Sequence, residues 1–372
     1  MSELLYQLVF YNHHRDMVDL IDASSLSEVK YSRQLNNYGA LQFTMRADRA
    51  KSFHSIRDVL VQLQVSVDGG PMISEGEYLI RQSILLPGEP YDVLIIGAVG
   101  LEHLLFRRIF LADDDPLVAN GYSTKYDRAS EVIASVVTDQ CIAPARRPGR
   151  AISGLTIAPH SPSGDPIPFR EQSSETKVLE LVKKLATAGR TDFWITFDAA
   201  TKTTPMIIGR RGTDRRKSTN WPLQPVCYFS PDNGSMTDPE LEQDYREEKN
   251  TVFVFGQGPA GGRFVYGKST PETTVSPWNR CEFGVTANQY TTIDDLFGEA
   301  DAALINALAN QTRFSFTIPQ DAPLQYLRDW FLGDLVNAGV SGVEFDMRVA
   351  GVTVTLNAEG VTVEPELVRY QI

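Results

Sequence analysis

Gly256, Gly258 and Gly261 spell G-x-G-x-x-G directly after the apolar run Thr251-Val252-Phe253-Val254-Phe255, the spacing with which a dinucleotide-binding loop wraps a pyrophosphate. That chemistry needs the glycines to open a helix whose N-terminus faces the phosphates. Here Arg263-Phe264-Val265-Tyr266 and Gly267 follow at once, and aromatic and β-branched residues at this density predict a second strand. Asn250 to Lys268 therefore reads as a β-hairpin, with Val252 and Val254 on one face and Phe253 and Phe255 on the other. No cofactor site is assigned to it.

Metal binding and nucleophilic catalysis find no better support. Of the histidines His13, His14, His54, His103 and His160, only the first two are neighbours, and adjacent strand residues point to opposite faces. C-x-x-C, H-E-x-x-H and G-x-S-x-G are absent, so no metal and no catalytic residue is assigned. Asp113-Asp114-Asp115 stands before Pro116 outside any EF-hand pattern, and a solvated acidic turn is expected there rather than a calcium site. Two basic runs remain: Arg146, Arg147 and Arg150, and the denser Arg210, Arg211, Arg215, Arg216 and Lys217. Without interleaved aromatics they read as solvated loops; if the second run is used, its expected contact is an acidic neighbouring subunit.

The elements that would position these residues are mostly strands. Tyr6–Phe10, Met17–Ile21, Val29–Leu35, Ala40–Met45, the alternating Val59, Val61, Leu63, Val65 and Val67, Tyr78–Leu86 and Tyr91–Ile96 are joined by turn-forming residues, a pattern of barrels and sandwiches. Two amphipathic helices follow, one from an N-cap at Asp127 and one from Ser173 or Ser174 to Gly189. Between them runs the Pro- and Gly-rich stretch Pro144–Pro168, and Phe193–Phe197 with Met206–Ile208 makes a hairpin. Gly209–Asn250 reads as irregular. Beyond the opening hairpin come Glu282–Val285, a helix capped by Thr292, and strands at Arg313–Ile318, Val343–Val349, Val352–Leu356 and Val361–Val363. The expected division is 1–110 (β), 111–245 (α+β insert) and 246–372 (β, with one helix at 291–310). The fold class is mainly β with α+β inserts.

Composition limits the partners. A formal net charge of -12 over 372 residues repels phosphate backbones, so specific nucleic-acid binding is not expected. No apolar run of membrane-spanning length occurs, and Met1-Ser2-Glu3-Leu4-Leu5 does not open a secretory signal. The three cysteines, Cys141, Cys227 and Cys281, are far apart and odd in number, as expected of thiols from a reducing compartment.

Three short stretches carry a family resemblance. Tyr31-Ser32-Arg33-Gln34-Leu35-Asn36-Asn37-Tyr38-Gly39-Ala40-Leu41-Gln42-Phe43 looks like the opening hairpin of phage tail-tip proteins. Asn250–Gly258 with Arg263 resembles the hairpin by which those proteins enter their second β domain. Leu332-Gly333-Asp334-Leu335-Val336 is similar to their late Gly-Asp turn before a strand. Together they resemble the baseplate hub, or tail-associated, family of long-tailed phages. The resemblance implies two tail-tube-like β-barrel domains per chain around a middle α+β region, and a homotrimeric ring that adapts a sixfold tail tube to a threefold tip around the DNA passage. It also implies a place at the virion tail tip after synthesis in the host cytoplasm. The implied neighbours are a distal tail protein or tube ring, the tape measure protein, and a tip fibre or receptor-binding protein. The role is structural rather than enzymatic; a cell-wall hydrolase or a host-glycan-binding tail module is the alternative.

Overall fold

The computed structural model describes residues 4–47, 57–88, 91–117, 121–217, 226–246, 248–257, 262–276, 278–287, 293–308, 312–319, 321–358 and 360–369. The first seven strands are β1 (Leu4–Tyr11), β2 (Met17–Asp22), β3 (Glu28–Gln34), β4 (Ala40–Arg46), β5 (Leu60–Val67), β6 (Ile73–Leu86) and β7 (Val93–Gly100). They match the strands expected from alternation. Val61, Leu63 and Val65 on β5 are fully buried, and Leu60 and Gln62 on its other face are only 5% and 7% exposed. The strand is covered on both faces, and the Tyr11 hydroxyl donates to the Gln62 side chain at 3.3 Å.

The middle of the chain supplies the second cover. β8 (Tyr122–Arg128), α1 (Ala129–Val137), β9 (Leu155–Ile157), β10 (Pro166–Gln172), α2 (Val178–Ala188), β11 (Phe193–Ile195) and β12 (Thr204–Ile208) follow in order. Val132, Ile133, Leu179, Val182 and Phe169 share one core with Val9, Tyr11, Leu60 and Leu79 of the first strands. Each buried aliphatic side chain of α2 contributes about 1.5–3 kcal/mol of hydrophobic stabilisation. Two helix starts differ from expectation. Arg128, not Asp127, occupies the N-cap of α1. The second helix begins at Val178 because the backbone before it is extended: Ser174 and Thr176 exchange hydrogen bonds with Phe110, and the Ser173 hydroxyl accepts from the Ala112 N–H.

The run Gly209–Asn250, expected to be irregular, holds two strands, β13 (Tyr228–Phe229) and β14 (Thr237–Gln243). β15 (Thr251–Gln257), β16 (Arg263–Ser269), β17 (Glu282–Ala287) and α3 (Ile293–Leu308) come next. The chain closes with β18 (Thr312–Thr317), β19 (Leu335–Val340), β20 (Val343–Asn357) and β21 (Gly360–Arg369). Val343–Val349 and Val352–Leu356, expected as separate strands, form one, with a register shift against β21 between Val349 and Gly351.

Strands from the two ends of the chain form one sheet of thirteen, in the order β14-β18-β21-β20-β3-β4-β7-β6-β5-β1-β2, with β19 beside β20 and β13 beside β19. Its central join is β3 against β20, antiparallel from Val29↔Leu356 to Gln34↔Gly351. Phe10 and Phe43 from the first strands lie in the same core as Phe314 and Trp330 from the last. The mainly β character is as expected, while among the described residues strand pairing closes neither half on itself.

The hairpin singled out in the sequence builds a small sheet of its own, β16-β15-β17. β15 and β16 are antiparallel, Gln257 facing Arg263, so a strand stands where a dinucleotide loop would begin its helix. Gly256 belongs to β15; Gly258 and Gly261 lie outside the described residues, as does Thr292, the expected cap of α3. Val252 and Val254 are fully buried against Leu296, Ala300 and Leu304 of α3.

Candidate functional site

Charged residues scattered through the sequence converge where the two β halves meet the middle region. Arg33 on β3 faces Glu75 on β6 at 3.6 Å, and the Tyr326 hydroxyl, from the loop between β18 and β19, donates to Glu75 Oε1 at 2.5 Å. Glu75 is 5% exposed and Tyr326 2%, so the charges are out of water and survive only through each other. Burial works against the Arg33 charge, but the carboxylate of Glu75 holds its pKa above the ordinary guanidinium value. Burial pushes the Glu75 pKa up, opposed by Arg33 and the tyrosine hydroxyl. Arg211 nearby is lowered to about 10 by burial and by the Arg33 charge.

Two more carboxylates extend this seam. Asp192, just before β11, accepts from the Asn36 side chain at 3.1 Å, the Arg211 N–H at 2.8 Å and the Arg348 guanidinium at 2.6 Å. It thereby ties the β3–β4 turn, the segment after β12 and strand β20 to one point. Asn36 answers by accepting from the Phe193 N–H at 2.9 Å. Asp334 accepts from the Thr213 N–H at 2.6 Å, Arg215 Nε at 2.7 Å and the Phe331 N–H at 2.9 Å. The backbones touch here: Gly212 and Gly333 have φ of +84° and +94°, and a Cβ on Gly212 would sit 2.2 Å from the carbonyl carbon of Gly333. The Gly-Asp pair of the sequence resemblance is thus a glycine for close approach and an aspartate for the facing loop.

The basic run Arg210–Lys217 is not the solvated loop expected. Arg215 is held by Asp334, Arg216 by Asp214 and Asp346, each at 2.7 Å, and Lys217 by Glu344 at 3.1 Å. The aromatic partners missing from the run itself come from other elements: the Arg211 guanidinium lies 5.0 Å from the Trp194 ring centroid and the Lys217 ammonium 3.6 Å from that of Tyr228.

Nor is Asp113–Asp115 a solvated turn. Asp114 and Asp115 are 0% and 2% exposed. Asp114 pairs with Arg147 and Arg150 and Asp113 with Arg146 and Arg147, so this acidic run and the first basic run neutralise each other. Asp115 binds Lys125 at 2.8 Å and also accepts from the Ser123 hydroxyl. Burial alone would raise its pKa, but the bonds from Lys125 and Ser123 bring it below the ordinary carboxylate value.

Among the described residues no group of three or more His, Cys, Asp or Glu is arranged to hold a metal ion. His13 lies 2.6 Å from the Arg57 carbonyl oxygen, His103 packs against Tyr38 and Phe106, and His160 lies against Glu131, three separate places; His54 falls outside the described residues. Cys141 and Cys227 are buried and Cys281 half-buried, all as free thiols. Among the described residues no helix is long and apolar enough to cross a membrane. The seam pairs cations with carboxylates across elements distant in sequence, an arrangement suited to fastening parts together.

The profile of the family described as Siphovirus ReqiPepy6 Gp37-like protein matches residues 93–367. The chain belongs to this family. The matched region of this Gp37-like chain contains Asp192, Arg211, Asp334 and Arg348, while Arg33, Asn36 and Glu75 precede it. No curated protein matches the sequence. Among solved structures, the fold is similar to that of a tail protein from Neisseria meningitidis MC58, with TM-score 0.61 and 13% identity over 98% of this chain and 96% of the other. The 43 kDa tail protein of prophage MuSo2 from Shewanella oneidensis gives 0.60 and 12% over 98% of each chain. Prophage tail protein gp18 from Listeria monocytogenes EGD-e gives 0.51 and 12% over 97% and 94%. The resemblance to phage tail-tip proteins read from the sequence holds at the level of family and fold.

Of the seam residues, Arg33, Asn36 and Asp334 stood inside the stretches that carry the resemblance, and Arg211 and Arg215 inside the second basic run. Asp192, Tyr326 and Arg348 carried no signal, because a residue that bonds across more than a hundred positions leaves no local periodicity.

Proposed function

We propose that this Gp37-like protein is a structural part of the phage tail tip, the baseplate hub, whose copies form a trimeric ring around the DNA passage. The observation that carries the reading is the single sheet through both β halves, locked at β3–β20 and at the buried seam. A part that fits a sixfold tube at one end and a threefold tip at the other needs two similar β units per chain held in fixed relation, so that three chains offer six units. In this reading the two β halves play the part of tail-tube-like barrels.

The open face of the sheet near β14 supplies a wall for that passage. Glu240, Glu242, Glu364 and Glu366 line a concavity there with Arg313 as the one cation among its lining residues. Such a surface repels DNA and lets it slide. Partners in the proposal are a distal tail protein or tube ring, the tape measure protein and a tip fibre, and the protein acts without covalent chemistry.

Light scattering on the purified chain, alone and mixed with the adjoining distal tail protein, tests the ring: the expected mass is that of three chains of 41.4 kDa. A monomer under both conditions, or a ring imaged with Arg and Lys facing its lumen, removes the proposal.

A further inference from the structure

Between α2, β10 and α3 lies a cleft of about 460 Å³, where the small sheet with its helix meets the middle region. Pro166, Pro168, Ala188 and Pro271 give it an accessible apolar floor, behind which Ile167, Phe169, Leu181, Leu185 and Leu304 are buried to 6% exposure or less. Gly298 allows α3 to close one side: a Cβ there would come within 2.9 Å of the Pro168 ring.

The rim is charged but balanced. Lys184 pairs with Glu299 at 2.9 Å and Arg190 with Asp165 at 2.9 Å, and Lys268 pairs with Asp301. Arg170 and Glu171 complete four cations and four carboxylates among the lining residues. Three polar groups in the lining stand unsatisfied. The Glu171 carboxylate makes no hydrogen bond with the described residues, and burial raises its pKa against the opposing charge of Lys184; Arg170 Nε and the Thr270 hydroxyl are buried without a hydrogen-bond partner.

With no net charge, the cleft gains little from a phosphate-rich polymer or a lysine-rich peptide. An apolar floor ringed by donors and acceptors suits a molecule with one C–H face and many hydroxyls. We propose that this cleft binds a short neutral saccharide, with ring C–H groups against Pro168 and Ala188 and hydroxyls donating to Glu171. The site lies within one chain and is independent of the ring, so its test and the mass measurement fail separately. It gives a tail-tip protein a direct contact with a carbohydrate surface, at a place distinct from the seam.

Saturation-transfer NMR and titration calorimetry on the full chain, with maltotriose and tri-N-acetylchitotriose as probes, test the inference. At least one probe is expected to bind. Glu171→Gln should weaken it by about tenfold or more, the usual effect of losing a hydrogen bond to a charged group, and Ala188→Trp at the rim should abolish it while the circular dichroism spectrum stays unchanged. Absence of transfer from both probes overturns the proposal, as does binding that survives Ala188→Trp in a folded protein. Binding of oligolysine without either sugar also overturns it, in favour of a protein partner.

Discussion

Two joints hold the parts of this protein together with ion pairs, and they differ in solvent access. At the seam between the β halves, Asp192 and Asp334 are each 1% exposed and Glu75 5%, and each takes two or three bonds from separate elements. At the contact between β16 and α3, the side chains of Lys268 and Asp301 pair while 42% and 50% exposed, beside an open cleft. A buried pair cannot lose one member without stranding the other in a dry site, whereas an exposed cation returns to water. The seam therefore sets the relation of the halves, whereas the exposed pair at this outer joint adds little to the packing of α3 on the small sheet.

Breaking the seam should have the largest effect. Glu75→Ala, which strands Arg33, is expected to cost about 3–5 kcal/mol in urea denaturation. Replacing both partners, Arg33→Met with Glu75→Leu, should recover most of that loss; if the double variant is as unstable as the single, the charges are not what matters. Next, Gly212→Ala forces a side chain against the Gly333 backbone at positive φ and should cost about 2–4 kcal/mol by the same measurement. Asp334→Asn keeps the shape but removes the charge that holds Arg215, and about 1.5–3 kcal/mol is expected. At the outer joint, Lys268→Ala should change stability by less than about 0.5 kcal/mol. A loss there equal to that of Asp334→Asn would erase the contrast between the joints.

Acid gives a further separation. The Asp115 pKa in the folded chain lies below its unfolded value, so its contribution is fully present above the ordinary aspartate range, near pH 4, and is lost as pH falls through the folded value. Carboxyl NMR titration of the folded protein should show Asp115 protonating below a solvent-exposed aspartate, and Lys125→Met should remove that difference.

Much of the β framework was legible because alternation is a local property. Val61, Leu63 and Val65 declare a strand whatever lies beside it, and the hairpin Val252–Tyr266 overruled its glycine fingerprint through the residues that followed. The seam was illegible for the opposite reason. Arg210–Lys217 and Asp113–Asp115 looked like solvated charge because most of the opposing charges sit elsewhere in the chain, at Asp334, Glu344 and Asp346 for the first and at Arg146, Arg147 and Arg150 for the second, and sequence distance hides them.

The sequence by itself determined the first seven strands, the two helices of the middle region, the family and the strand that follows the glycines of the hairpin, since each depends on neighbouring residues. Only the tertiary structure decided that β3 meets β20, that most cations of the two basic runs are paired within the chain, and that Glu171 faces a cleft without a hydrogen bond. Those outcomes depend on which distant segments share a dry interface, where the cost of an unpaired charge selects its companion.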